Sequence, residues 1–134
     1  MTPEELLENF SYLTDWEDKY KYLIELGEEM PSFPESEKVD KNKVMGCQSQ
    51  VWIIYSKKND KYEFQATSDA IIVRGLQAVL LTFVNGKTAE EIHDLDLEAI
   101  FKKLGLEENL SPTRRNGFIS MINRIHDLTK MQAL

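Results

Sequence analysis

The stretch VWIIYSKKNDKYEFQAT, residues 51–67, decides the fold class of this 134-residue chain. Residues 51–55 are all β-branched or aromatic, and the polar run 57–60 has the composition of a turn. After that turn, Tyr62, Phe64 and Ala66 alternate with polar residues, which is typical of a strand with one wet face. The pattern predicts an antiparallel hairpin. A further short strand at residues 43–45 would complete a three-stranded antiparallel sheet.

Helix signals lie on both sides of the hairpin. Upstream, Thr2 and Thr14-Asp15 are capping residues that predict helices to about Phe10 and Gly27, followed by a loop over 31–41. Downstream, Ser68-Asp69 should cap a long apolar helix that ends near residue 84, and two short helices should follow. We therefore expect one compact α+β domain over residues 1–134, with the sheet flanked by helices.

The last helix should begin at Ser111 and bury one side. Its apolar residues recur at helical spacing; they are Phe118, Met121, Ile122, Ile125 and Leu128.

Composition and charge narrow the class of protein. Hydrophobic residues make up 42% and charged residues 29% of the chain, which is ordinary for a globular domain. The most apolar run, 70–84, is too short to span a bilayer, and residues 1–5 do not resemble a secretory signal. These features predict a cytoplasmic protein that does not bind membranes.

The net charge of −7 lies wholly in residues 1–30, which hold nine Asp or Glu and two Lys; residues 31–134 balance to zero. This distribution argues against a nucleic-acid partner, since phosphate backbones require a basic face. An acidic N-terminal helix pair could steer a basic partner, or it could simply be a solvated face.

Cys47 is the one cysteine of the chain. A free cysteine is often just a small buried hydrophobic residue. Here Gly46 precedes it, Gln48 and Ser49 follow, and the apolar strand then begins. Glycine permits a tight or positive-φ backbone, and the polar pair offers local hydrogen bonds. We expect a thiol presented on the connection between the first two strands.

Three separated segments resemble motifs of the SufE family. They are GCQSQVW at 46–52, SDAIIVRGL at 68–76 and LSPTRRNGF at 110–118, the last followed by Met121. Their order and spacing agree with the family over roughly residues 3–130, and three motifs together are far more specific than one. Thr113 and Ser111 differ from the family's usual residues but keep a hydroxyl group.

The resemblance implies a sulfur acceptor for iron–sulfur cluster assembly. Cys47 would take sulfur, as a persulfide, from a pyridoxal-phosphate-dependent cysteine desulfurase of the SufS or CsdA type. It would stimulate that enzyme and pass the sulfur to a downstream iron–sulfur scaffold. The protein would hold no cofactor or metal of its own and would have no independent turnover.

The resemblance also suggests supporting residues. Gly46, Gln48 and Ser49 would shape the loop around Cys47, and Arg114 matches the motif arginine that could support the site or contact the partner. Asp69 should cap the helix beneath the site.

Other residues near these motifs are less specific. Arg74 and Arg115 could lie near the loop, although arginines are mostly ordinary surface residues. Gly117 is unfavourable inside a helix, which indicates that this turn packs closely against something, such as the Cys47 loop.

A carrier would benefit from hiding a labile persulfide. We therefore expect Cys47 in an apolar recess beside residues such as Met45, Val51 and Trp52, with the loop swinging outward on the partner. Burial should raise the pKa of the Cys47 thiol, so that activation would depend on docking.

Three other functions remain open on the sequence. A metal or cluster scaffold is disfavoured because Cys47, His93 and His126 lack ligand spacing; we expect His93 to be solvated and His126 to be exposed or capping. A cysteine hydrolase would need one of these histidines as its base. A non-catalytic adaptor of the same pathway would be indifferent to Cys47→Ser, whereas a carrier would not.

Overall fold

The first two strands form the predicted hairpin. The structure, a computed structural model, describes residues 1–130. Strands β1 (Val51–Lys58) and β2 (Lys61–Ser68) pair antiparallel along their full lengths. Asn59 and Asp60 connect them with φ values of 53° and 64°. Two successive positive φ angles are the signature of a type I′ turn, whose twist matches that of the flanking strands.

The third strand lies elsewhere than predicted. Strand β3 is Lys87–Thr88, which pairs antiparallel with the start of β2, so the sheet order is β1-β2-β3. The segment 43–45 makes only a single bridge, between Lys43 and Trp52. A 3₁₀ turn before it and the positive φ of Gly46 after it leave no extended run. The prediction of a three-stranded antiparallel sheet is confirmed, but the prediction of a strand at 43–45 was wrong.

Six α-helices surround the sheet within residues 1–130. They are α1 (Pro3–Ser11), α2 (Trp16–Glu28), α3 (Ile71–Val84), α4 (Ala89–Asp94), α5 (Leu97–Lys103) and α6 (Pro112–Leu128). Single 3₁₀ turns occur at Glu35–Glu37, Asp40–Asn42 and Glu107–Asn109. None of these helices is long and apolar enough to cross a bilayer.

The predicted caps of the first two helices are confirmed at Thr2 and Asp15, while Thr14 precedes the cap. Thr2 and Glu5 form a reciprocal capping box at the start of α1, which satisfies two backbone donors at once. The Asp15 side chain accepts from the backbone N–H of Asp18 at the start of α2.

Helix α3 runs through the centre of the molecule and crosses α2 at very short range. Its residues are mostly buried. At Gly75, a Cβ atom would collide with the Leu23 carbonyl of α2, and at Gly27 it would lie 2.8 Å from the Gly75 nitrogen. Only glycine permits such a close approach of two helix backbones.

Helix α6 packs against the core through the predicted stripe. Phe118, Met121, Ile122 and Ile125 are buried, and Leu128 is partly buried against the core. The first half of α6 also lies beside the segment that carries Cys47, because the Cys47 thiol contacts the Gly117 carbonyl of that helix.

Candidate functional site

A short loop carries Cys47 and is closed at its base. The Val44 N–H donates to the Val51 carbonyl at 2.8 Å, so the chain leaves and rejoins the sheet at adjacent points. Val44 and Val51 are both buried, with 3% and 1% of their surface exposed. The loop between them, residues 45–50, is thus anchored to the core by its two ends.

Gly46 allows this loop to pack directly on α6. Gly46 has a φ of +89°, and a Cβ atom there would lie 2.7 Å from the Ser120 Oγ. The Cys47 thiol donates to the Gly117 carbonyl at 3.5 Å, and a Cβ at Gly117 would lie 3.7 Å from the sulfur. The predicted contact of the Gly117 turn with the Cys47 loop is confirmed, although a Cβ atom would also fit at Gly117.

The Cys47 sulfur faces a small recess. Its volume is about 20 Å³, roughly that of a single water-sized probe. The lining is mainly apolar; it comprises Cys47, Gln48, Ser49, Val51, Val73, Leu76, Thr113, Arg114, Gly117, Phe118 and Met121.

The neighbours predicted for Cys47 are correct in one case of three. Val51 lines the recess. Met45 is instead 81% exposed, because the positive-φ turn at Gly46 separates it from the sulfur. Trp52 is not part of the lining, since successive side chains of a strand point to opposite faces.

Burial controls the acidity of the thiol. Cys47 is half-buried, and desolvation raises the pKa of its thiol above the ordinary value of 9.0. Desolvation disfavours the thiolate, which is the nucleophilic form. The resting site therefore holds a neutral thiol at neutral pH, as the sequence predicted.

Asp69 fastens the other end of the loop. Its Oδ1 accepts from the Gln50 N–H at 3.0 Å, and its own N–H donates to the Gln50 carbonyl at 3.2 Å. The prediction that Asp69 caps α3 was wrong. The N-cap is Ala70, whose N–H donates to the Ser68 Oγ, and the Asp69 carboxylate is already engaged by Gln50.

Arg114 is the one predicted arginine that reaches the loop. Its Nη1 donates to the Ser49 Oγ at 3.2 Å. Arg115 instead donates to the Glu107 carbonyl at 3.2 Å, away from the recess. Arg74 lies where α3 meets α2, beside Gly27. Gln48 lines the recess but is exposed.

Sequence reasoning missed Ser120. It lies under Gly46 and donates its hydroxyl to the Asn116 carbonyl at 3.0 Å. The only available signal was a small residue three positions after Gly117, on the same helix face. Val73 and Leu76 of the recess belong to the predicted long apolar helix, but they were not predicted as part of the site.

Both histidines lie apart from the recess lining. His93 and His126 stack on each other with ring centroids 4.9 Å apart. His93 is exposed, as predicted, but its Nε2 also contacts the Thr129 carbonyl at 3.1 Å. No group of three or more His, Cys, Asp or Glu residues within 1–130 has the arrangement to hold a metal ion.

Comparisons with known proteins give the family of this chain. The profile of the SufE family, described as the Fe-S metabolism associated domain, matches residues 4–129. An uncharacterized SufE-like protein of Rhizobium etli is 46% identical over 134 residues, which cover 97% of this chain and 90% of that protein. The sulfur acceptor protein CsdE of Escherichia coli is 42% identical over 131 residues, which cover 97% and 89%.

The fold is also known from a solved structure. The solution structure of a hypothetical protein from Thermus thermophilus superposes with a TM-score of 0.77 at 20% identity, covering 97% of this chain and 96% of that one. This similarity supports the α+β fold alone, whereas the family match extends over nearly the whole sequence. The chain belongs to the SufE family.

Proposed function

We propose that this protein accepts sulfur on Cys47 from a cysteine desulfurase and passes it on for iron–sulfur cluster assembly. The observation that carries the proposal is a single cysteine whose sulfur faces a mainly apolar recess about the size of one small atom. The family match and the similarity to the sulfur acceptor CsdE support the same role.

The transfer step conserves atoms and electrons. The Cys47 thiolate attacks the terminal sulfur of the desulfurase persulfide, and a new sulfur–sulfur bond forms as the donor's sulfur–sulfur bond breaks. The donor cysteine leaves as a thiolate and takes up the proton that Cys47 lost. Nothing is oxidised or reduced overall, so the exchange requires no cofactor on this chain.

The raised pKa of Cys47 gives docking a role in this step. In the free protein the thiol is neutral and donates to the Gly117 carbonyl, which makes it a poor nucleophile. Moving the loop away from α6 would return the sulfur toward solvent and lower its pKa. Docking to a SufS- or CsdA-type desulfurase would supply that movement and so limit reaction to the correct donor.

The remaining site residues act on the loop in this proposal. Gly46 allows the close approach to α6, while Asp69 and Arg114 hold Gln50 and Ser49 in the resting position. Gln48 is exposed at the mouth of the recess and is available to a partner. A reducing compartment such as the cytoplasm would keep Cys47 as a thiol.

Intact mass spectrometry tests the proposal directly. The protein is incubated with a cysteine desulfurase and L-cysteine, and wild type is compared with Cys47→Ser. We expect the mass of a sulfur atom to be added to wild type alone and to be removed by a reductant.

The same variant separates carrier from adaptor. Cys47→Ser should still bind the desulfurase but should not stimulate it. Full stimulation by Cys47→Ser would replace the carrier mechanism with a non-catalytic adaptor. Absence of added sulfur on wild type, with SufS- and CsdA-type enzymes both tried, would refute sulfur acceptance.

A further inference from the structure

A second and much larger concavity lies away from the Cys47 recess. Its volume is about 890 Å³, and it shares no lining residue with that recess. Residues of β1 and β2 form one side, and the C-terminal ends of α2 and α3 form another. Much of the lining is apolar; it includes Leu26, Met30, Ile54, Tyr55, Phe64 and Leu81.

The charged side chains of this groove, in contrast to the Met1 amino group that also lines it, have one sign. Glu29 and Glu63 are the charged side chains that line it, and both are exposed. Neither belongs to an ion pair within residues 1–130, where the ion pairs are Lys21–Glu17 and Lys38–Glu35. An apolar floor with unpaired carboxylates at its rim favours a ligand that combines apolar surface with positive charge.

Two helix ends add to this negative potential. The last turns of α2 and α3 both contribute to the lining, and neither turn contains a basic residue. The C-terminal end of a helix carries a partial negative charge, which a nearby cation stabilises. The acidic surplus of residues 1–30 lies on α1 and α2 and has the same sign.

The groove also reaches an open edge of the sheet. Strand β1 is at the edge, and its outer side bonds to the preceding segment only near Val51. The Val51 carbonyl points outward to Val44, so the period of two turns the backbone groups of Ile53 and Tyr55 outward as well. Ile53 lies beside the bridge between Lys43 and Trp52, whereas the outward backbone groups of Tyr55 have no backbone partner among residues 1–130.

We propose that this groove docks an extended segment of a partner protein in which Lys or Arg alternates with apolar residues. The long aliphatic stem of such a cationic side chain would cover the apolar floor while its charged end reached Glu29 or Glu63. The segment's backbone would pair with the outer edge of β1. The groove would thus let the protein hold a partner while Cys47 stays accessible to another.

A defined peptide tests this proposal. The probe is a short peptide of alternating Lys and Val, with blocked ends, titrated into the isotope-labelled protein and followed by NMR. We expect amide shift changes at Ile54, Gln65 and Leu81. The double variant Glu29→Gln/Glu63→Gln should weaken the Kd by about tenfold, equivalent to about 1.4 kcal/mol, and added salt should weaken it as well.

Matched controls keep the result specific. The double variant Glu90→Gln/Glu108→Gln removes two exposed carboxylates outside the groove and should leave the Kd unchanged. Equal weakening by both double variants would show a net-charge effect and overturn the proposal. Equal binding of a peptide with Glu in place of Lys, or shift changes outside the groove, would also overturn it.

Two further arms complete the test. Spermidine should bind far more weakly than the peptide; equally tight binding of spermidine in the groove would make this a site for small cations and refute protein docking. Cys47→Ser should bind the peptide as wild type does. Failure of peptide binding would therefore leave sulfur acceptance on Cys47 untouched, and failure of sulfur acceptance would leave the groove proposal untouched.

Discussion

Asp69 is the residue whose loss should free the Cys47 loop with least disturbance elsewhere. It makes two hydrogen bonds to Gln50, of which only the side-chain bond depends on the carboxylate. A hydrogen bond of this kind contributes about 1–1.5 kcal/mol. We expect Asp69→Ala to open the loop more often and to increase the rate of Cys47 alkylation by iodoacetamide about 5- to 10-fold.

The control for this prediction is Asp69→Asn. An asparagine keeps a side-chain carbonyl that can accept from the Gln50 N–H, so its alkylation rate should stay close to that of wild type. Alkylation of Asp69→Ala at the wild-type rate would show that the bond does not restrain the loop. Both rates are compared with that of the urea-unfolded protein.

At the scale of single residues, the sequence predicts backbone requirements better than it predicts partners. A glycine before Cys47 already indicates a positive φ, and the structure has one at Gly46. The role of Asp69 was mispredicted because a carboxylate before a helix has a local set of donors available. Its actual donor, Gln50, is nineteen positions away in the chain, and only the tertiary fold brings it near.

At the scale of elements, the crossing of α2 and α3 depends on Gly75. A Cβ atom there would collide with the Leu23 carbonyl, a backbone atom that cannot rotate away. Overpacking of this kind usually costs about 1–3 kcal/mol. We expect Gly75→Ala to lower the free energy of unfolding by at least that amount in urea denaturation.

Gly117→Ala, in α6, is the matched control for Gly75→Ala, since both replace a glycine inside a helix. The nearest atom to its Cβ would be the Cys47 sulfur at 3.7 Å, an ordinary contact. Alanine is favoured over glycine in helices by about 0.5–1 kcal/mol. Gly117→Ala should therefore be neutral or stabilising. A similar loss of stability in both variants would contradict the role assigned to the Gly75 crossing.

The elements differ in how well their local sequences predict them. The hairpin of β1 and β2 follows from β-branched runs, alternation and a polar turn, all of which are local. Strand β3 is two residues long, too short for any periodic pattern, and it exists because β2 offers an edge. The Cys47 recess likewise joins residues from β1, α3 and α6, a combination that no local pattern specifies.

At the scale of the whole molecule, the titrations of two partly buried groups, Cys47 and His126, should make the free energy of unfolding depend on pH. Desolvation raises the pKa of Cys47 above 9.0. The thiol of Cys47 therefore holds its proton more tightly in the folded state than in the unfolded state. Its contribution to the free energy of unfolding is complete below the unfolded pKa and is lost as pH rises from the unfolded pKa through the folded pKa.

His126 acts in the opposite direction. Burial, followed by the neighbouring charge of His93, lowers the pKa of His126 below its ordinary value of 6.5. Its Nε2 is buried without a hydrogen-bond partner in the described structure. The folded state resists protonation, so stability is present above the unfolded pKa and is lost as pH falls through the lowered folded pKa.

These two titrations should therefore lower the free energy of unfolding above about pH 9 and below about pH 6.5, respectively. Urea denaturation across this range, by fluorescence of the two tryptophans, measures the profile. Cys47→Ser should flatten the alkaline side alone and His126→Gln the upper part of the acid side alone.

Glu91 does not interfere with this assignment, because its hydrogen bonds with Thr88 lower its pKa below 4.5 and place its contribution at more acid pH. If Cys47→Ser left the alkaline side unchanged, the fold would not raise the pKa of the resting thiol, and the part of the proposal that depends on this shift would be wrong.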